Sequence, residues 1–323
     1  MNKIISFEEF FKPNQSDKIV LIIGSGIHKE FLKIWTKEAF NFKCWKHLFM
    51  SIVEIEASNI IPSNFPILDF EKIVVEKTAC TSTDLNSKPA YLVERNLIKE
   101  VVGLLSTNRL STIDLQNYPL EIFNPEYVSD VINLNFDLVI EEKLAQNKGD
   151  KKWRKLISCN SRIENEEIKS IYNKPNFQYR KINKIKFWHP HGDIKHLNSI
   201  VLGLRKYGMQ IQNIEKLRNR YKANNKTTKP KLKTWLDPIM NQPILILGAD
   251  ISYNEWDVLF ALISKKRNRA RKGSDKPIFH MVENHANSNL RDWTLPISKE
   301  SLPFKDQWSL ISKLFKINIH AKN

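Results

Sequence analysis

The chain has 323 residues, enough for one large α/β domain with insertions or for two small domains, and at this length folding buries roughly 75% of the surface of the unfolded chain. Hydrophobic residues make up 41% and aromatic residues 10%, which excludes a disordered or collagen-like chain. Lys and Arg outnumber Asp and Glu by 51 to 35, a formal net charge of +16 that favours anionic partners and says nothing about fold.

Residues 1–11 are Phe-rich and carry Glu8 and Glu9. They lack the basic n-region, long apolar stretch and small-residue cleavage site of a signal peptide. The longest apolar runs, 19–23 and 244–247, fall far short of the about 20 residues of a membrane span, so no membrane association is expected. Three separated cysteines, Cys44, Cys80 and Cys159, make neither a disulfide framework nor a four-cysteine zinc site, and the expected compartment is the reducing cytoplasm.

Five short, apolar, β-rich runs are expected as buried parallel strands: 19–23, 131–135, 185–188, 243–247 and 278–282. Helical spacing appears between them. Phe31, Ile34, Trp35, Glu38 and Ala39 share one face; Leu92, Ile98, Val101, Val102 and Leu105 share a second; Trp256, Leu259, Phe260 and Ile263 share a third. Strands alternating with helices predict an α/β fold, a doubly wound, Rossmann-like parallel sheet. The 40–127 stretch is too long for one crossover and predicts a helical insertion. Residues 206–238 predict a basic helix and loop, and 305–315 an amphipathic helix.

The positive charge is clustered. Lys151, Lys152, Arg154 and Lys155 form one group; Lys216, Arg218, Arg220, Lys222, Lys226, Lys229, Lys231 and Lys233 a second; Lys265, Lys266, Arg267, Arg269, Arg271 and Lys272 a third. Such runs suit nucleic acid, yet they also suit solvated faces in a chain rich in Lys, Asn and Ile.

Four motifs sit where ligands of open α/β sheets bind, just beyond strand ends. Gly24-Ser25-Gly26-Ile27 follows the first strand, where backbone N–H groups and a helix start could meet a pyrophosphate, and a side chain would hold a phosphate off. Lys29 stands where the dehydrogenase fingerprint wants a small residue; Glu54 or Glu56 would be the acidic ribose partner, in a segment that does not read as a strand. Asn133-Leu134-Asn135-Phe136-Asp137 places an amide and a carboxylate two residues apart, and equally suits capping of a helix over 138–145. His189-Pro190-His191-Gly192-Asp193 offers imidazoles for acid–base work. With His196, the residues His189, His191 and Asp193 also resemble part of a metallo-hydrolase signature, but Ile194 breaks it and no second ligand set follows, so no metal is expected. Gly248-Ala249-Asp250-Ile251-Ser252, followed by Asn254, Glu255 and Asp257, suits a ribose or adenine contact or a plain helix start. Four such loops in succession argue for one shared site.

In this order the motifs resemble the sirtuin-like family. Its glycine-rich first loop is matched by Gly24 and Gly26, its T-x-N-x-D by Asn133-Leu134-Asn135-Phe136-Asp137 without the threonine, its His-Gly by His191-Gly192, and its late strand-end glycine by Gly248, with Asp250 in the usual serine place. The resemblance spans about 19–282. Without the four-cysteine zinc module the chain looks more like the zinc-less bacterial sirtuin-like NAD hydrolases of antiphage defence. The resemblance implies NAD as substrate and cleavage of its nicotinamide–ribose bond. It implies Asn135 at the ribose and the attacking water, His191 as base, and Asp137 as orienting group. Gly24, Ser25, Gly26, Ile27, Gly192, Gly248 and Asp250 would bind the dinucleotide. It further implies a homo-oligomer, with an ATPase, helicase or other sensor subunit encoded nearby that could also bring nucleic acid. One sirtuin-like domain is expected over 1–290, with a C-terminal helical extension over 291–323. The alternatives are a non-catalytic NAD- or ADP-ribose-binding regulatory subunit, or an NAD-dependent protein deacylase.

Overall fold

The computed structural model describes residues 5–11, 17–27, 66–81, 89–107, 120–148, 166–223, 233–249, 251, 255–272, 276–282, 288, 290–298, 300 and 302–320. The expected helix through Phe31 and Ala39, the residues Glu54 and Glu56, the first basic group and Asp250 lie outside them.

In chain order the elements are α1 (Phe7–Phe10), β1 (Ile19–Ile23), α2 (Pro66–Thr81), α3 (Ala90–Thr107), β2 (Val128–Asn133), α4 (Val139–Lys148), α5 (Glu166–Tyr172), β3 (Tyr179–Ile182) and β4 (Ile185–Trp188). There follow α6 (Leu204–Ala223), α7 (Leu236–Asn241), β5 (Ile244–Leu247), α8 (Trp256–Lys272), β6 (Ile278–His280), β7 (Leu295–Pro296) and α9 (Phe304–His320). The strands form a seven-stranded sheet in the order β3-β4-β2-β1-β5-β6-β7. All described pairings are parallel except β3 with β4. The fold is the expected α/β, Rossmann-like one.

β1 explains the layering. All five of its residues are buried, and a strand turns successive side chains to opposite faces. Ile19, Leu21 and Ile23 join Leu245, Leu247 and Phe279 against α1, α4 and α9. Val20 and Ile22 join Ile244 and Ile246 against α5, α6, α7 and α8. The segment after 291 is built into this body, since β7 pairs with β6 and Trp308, Ile311 and Phe315 of α9 lie in the first core. A third core belongs to the 40–127 stretch. Phe70, Ile73 and Val74 of α2 and Val93, Leu97, Ile98 and Val101 of α3 pack on Phe136, Ile200 and Leu202.

Some boundaries differ from expectation. The strand expected at 131–135 runs Val128–Asn133, so Asn135 lies in the loop beyond it. The strand expected at 278–282 ends at His280. Along α8 the buried side is Asp257, Val258, Ala261, Leu262, Ser264 and Lys265, while the expected face is offset from it and Trp256 is 53% exposed.

Sheet order fixes where a ligand can enter. β1 has β2 on one side and β5 on the other, so the strand order reverses at β1, and in open α/β sheets ligands bind beyond the carboxyl ends at such a switch point. The loops after β1, β2 and β5 all end there.

Candidate functional site

The loops after β1 and β5 lock backbone to backbone. Gly24 N–H donates to Leu247 O (3.1 Å) and Gly26 N–H to Gly248 O (2.7 Å). Gly248 has φ +60°, and a Cβ on it would lie 2.2 Å from Ile27 N. A Cβ on Gly24 or Gly26 would lie 2.7 Å from Gly248 O. These glycines are therefore required by the contact between two loops, a physical reason the sequence did not disclose. Ile27 is fully buried beneath the turn, and Ser25 is exposed at its tip.

The loop after β2 carries Asn135 and Asp137. Asp137 Oδ1 accepts from Val139 N–H (3.1 Å), so this carboxylate orients the loop at the start of α4. Asn135 is half-buried, and its Nδ2 is a buried amide nitrogen with no hydrogen-bond partner. Such an orphan donor is costly in a finished fold.

The loop after β4 is braced from several sides. Gly192 has φ +84°, and a Cβ there would lie 2.3 Å from Ser199 O. Val201 N–H donates to His191 O (2.8 Å), and Asn176 Nδ2 and Gln210 Nε2 both donate to Pro190 O (2.8 and 3.0 Å). Ile194 N–H donates to Phe136 O (2.9 Å), which joins this loop to the Asn135 loop.

His191, 2% exposed, sits between two acids at the start of α8. Its Nε2 donates to Asp257 Oδ1 and Oδ2 (2.9 and 3.1 Å), and its Nδ1 lies 3.3 Å from Glu255 Oε2. The Tyr207 ring of α6 lies 5.5 Å away, centroid to centroid. Burial by itself would favour the neutral imidazole. Asp257, Glu255 and the hydrogen bonds to Asp257 and to the Leu134 backbone outweigh it and raise the pKa from 6.5 to about 9. At neutral pH His191 therefore holds its proton. Burial, then the same two acids, push the Tyr207 hydroxyl well above its ordinary range, so it too stays protonated. The Leu134 contact places His191 one residue from Asn135, on two loops that touch.

The metallo-hydrolase residues do not converge. His189 Nε2 bonds Glu141 Oε1 (2.6 Å), whereas Asp193 pairs with buried Arg180 (2.9 Å) and with His196 (3.1 Å). Burial would raise the Asp193 pKa, but the Arg180 charge and its neighbours pull it below the ordinary range. Among the described residues, the one His/Cys/Asp/Glu group with donor atoms close enough for a cation is His191, Glu255 and Asp257, within 4.8 Å of one another. There the imidazole lies between the acids with a nitrogen toward each, and the imidazolium carries an N–H on both.

Glu255, Asp257 and Tyr207 thus surround His191. In the sequence the two acids stood after Gly248 in a motif suited to a ribose or adenine contact or to a helix start, with no link to His191; no pattern in the sequence marks Tyr207. Part of the basic stretches is spent on internal contacts. Lys265 is buried and its Nζ donates to Ile239 O (2.7 Å) and to Gln242 O. Arg218 bonds Ser264 (3.0 Å) and Glu215 (2.7 Å) and lies over the Phe260 ring, and Lys216 pairs with Glu167. Among the described residues no helix is long and apolar enough to cross a membrane.

None of the curated proteins compared with the chain matches it. A family model does: the SIR2-like domain matches residues 129–295, just over half of the chain, and takes in the Asn135, His191, Gly248 and Asp257 loops. With this match over more than half of its length, the chain belongs to the SIR2-like domain family.

Proposed function

We infer that the chain hydrolyses NAD at the nicotinamide–ribose bond, giving nicotinamide and ADP-ribose. The observation that carries this reading is the buried, unpartnered Nδ2 of Asn135 beside the loop of His191, at the sheet's switch point. Family membership supports NAD as the dinucleotide.

The bond from C1′ to the pyridinium nitrogen breaks with its electron pair going to nitrogen, so nicotinamide leaves neutral and needs no acid. C1′ passes through an oxocarbenium-like state and takes the oxygen of water; the water's proton must go to a base. Asn135 donates to the ribose or to that water. His191 accepts the proton in its neutral form. At pH 7 the neutral form is the minor one, so this role requires a rate that rises with pH. Asp257 and Glu255 hold the ring and leave the pocket negative around a developing cation. Asp137 fixes the loop. The Gly24, Ser25, Gly26 and Ile27 turn borders the pyrophosphate, with Gly192, Gly248 and Asp250 along the rest of the dinucleotide. In the cell the chain would act as an oligomeric effector of bacterial antiphage defence, triggered through a sensor subunit. The three-cysteine composition, too small for a zinc module, supports that branch over a deacylase.

The test is direct. Purified chain, alone and with its genomic neighbour's product, is incubated with NAD, and nicotinamide and ADP-ribose are measured. Release by wild type and its loss in Asn135→Ala, with unchanged thermal unfolding, is the expected result. Equal turnover in Asn135→Ala removes the site assignment; saturable NAD binding without turnover in any arm would mean a regulatory binding subunit.

A further inference from the structure

Asn135 is gripped through its backbone on both sides of its Cα. Its N–H donates to Asn133 Oδ1 (3.0 Å), and its carbonyl accepts from His189 Nδ1 (3.1 Å). The far ends of those two side chains meet on one oxygen: Glu141 Oε1 accepts from His189 Nε2 at 2.6 Å and from Asn133 Nδ2 at 3.3 Å. Asn133 and Glu141 are fully buried, and His189 is 3% exposed. The four residues close a ring from β2 through α4 to the loop after β4. The Asn135 backbone is fixed within it while its Nδ2 stays unpartnered. Glu141 Oε2 is buried without a partner, but the bonds that hold the Asn135 backbone are all made, and buried polar bonds of this kind fix one geometry because breaking them is costly.

We propose that His189, backed by Glu141, is a positioning residue that sets the peptide of Asn135 and thereby aims its amide at the dinucleotide. The proposal rests on the reading of Asn135 given above and adds two residues that reading does not use. Imidazole suits the task because it presents two nitrogens on separate edges, one to a carbonyl and one to a carboxylate. The two edges can be tested apart. An Asn side chain places its amide where Nδ1 stands and keeps the bond to Asn135; a Gln side chain reaches where Nε2 stands and keeps the bond to Glu141.

Wild type, His189→Asn and His189→Gln are compared for kcat and KM on NAD, for urea unfolding, and for amide hydrogen exchange at Asn135. A purely structural role makes His189→Asn the worse variant, since it leaves the buried Glu141 carboxylate without its imidazole partner, whereas His189→Gln leaves only a neutral carbonyl unpaired. The proposal expects His189→Asn within about 3-fold of wild-type kcat. It expects His189→Gln to lose about 10- to 100-fold in kcat, with KM little changed and faster exchange at Asn135. Equal losses, or none in either, overturn it. If His189→Gln does not fold, His189→Ala, which also leaves the Asn135 carbonyl unpaired, takes its place, and the same asymmetry with His189→Asn is required. If wild type itself leaves NAD intact, the functional reading fails separately and exchange decides: faster in the Gln variant than in the Asn variant supports the positioning role, and equal rates overturn it.

Discussion

Replacing Asp257 with Asn should flatten the pH dependence of stability between pH 6 and 10. Raising the His191 pKa from 6.5 to about 9 corresponds to roughly 3 kcal/mol favouring the imidazolium in the folded state. The folded-state value lies above the unfolded one, so this stabilisation is fully present below about pH 6.5 and is lost as pH rises through about 9. Asp257 supplies the largest favourable part of the shift, at 2.9 Å from Nε2. The Asn variant keeps an oxygen for the Val258 N–H, which Asp257 Oδ1 accepts at 2.8 Å, so the start of α8 is preserved. Urea unfolding of both proteins across this range gives two stability profiles, and their difference cancels every other group that titrates there. Wild type should lose about 2–3 kcal/mol more than the variant between pH 6 and 10. Parallel profiles would refute the claim that the acids at the start of α8 hold His191 charged.

The same shift shapes kinetics. With His191 as base, kcat/KM for NAD cleavage should rise with pH up to about 9, the free-enzyme value; rates against an enzyme-free blank would show this, and a kcat/KM falling above pH 8 would contradict it. Gly248→Ala should destabilise by more than about 2 kcal/mol, as φ is +60° and Cβ would meet Ile27 N at 2.2 Å, whereas Gly103→Ala in α3, with nothing within 4 Å, should stabilise by up to about 1 kcal/mol; differential scanning calorimetry separates the signs. Lys265→Met strands the Ile239 and Gln242 carbonyls and should cost about 1–3 kcal/mol in urea unfolding, with NAD turnover unchanged.

The sheet was legible because its central strands are apolar on both faces, and the loops because glycine, amide and imidazole follow those strands in order. What escaped was set by partners distant in sequence. β3 reads Tyr-Arg-Lys-Ile, a polar run, and is a strand only because Arg180 turns inward to Asp193 while Lys181 faces out. Glu141 and Glu142 are neighbours with identical side chains, yet Glu141 is buried and Glu142 is not, since only helix phase against β2 and His189 distinguishes them. Lys265 looked like part of a basic surface and is a buried donor to the end of α7. The His191 loop was placed correctly, but its charge state depends on Glu255 and Asp257, about sixty residues further on, and no local pattern carries that.

Phe136 belongs to two neighbourhoods at once. Its ring lies in the small core of α2 and α3, its carbonyl accepts from Ile194 N–H, and Asn135 and Asp137 flank it. That core is tied back to α6 by the Arg205–Glu94 pair and by Glu71 accepting from Leu204 N–H. The inserted helices are consequently a handle on the crevice: a shift of α2 or α3 that carries Phe136 with it drags the adjoining amide along.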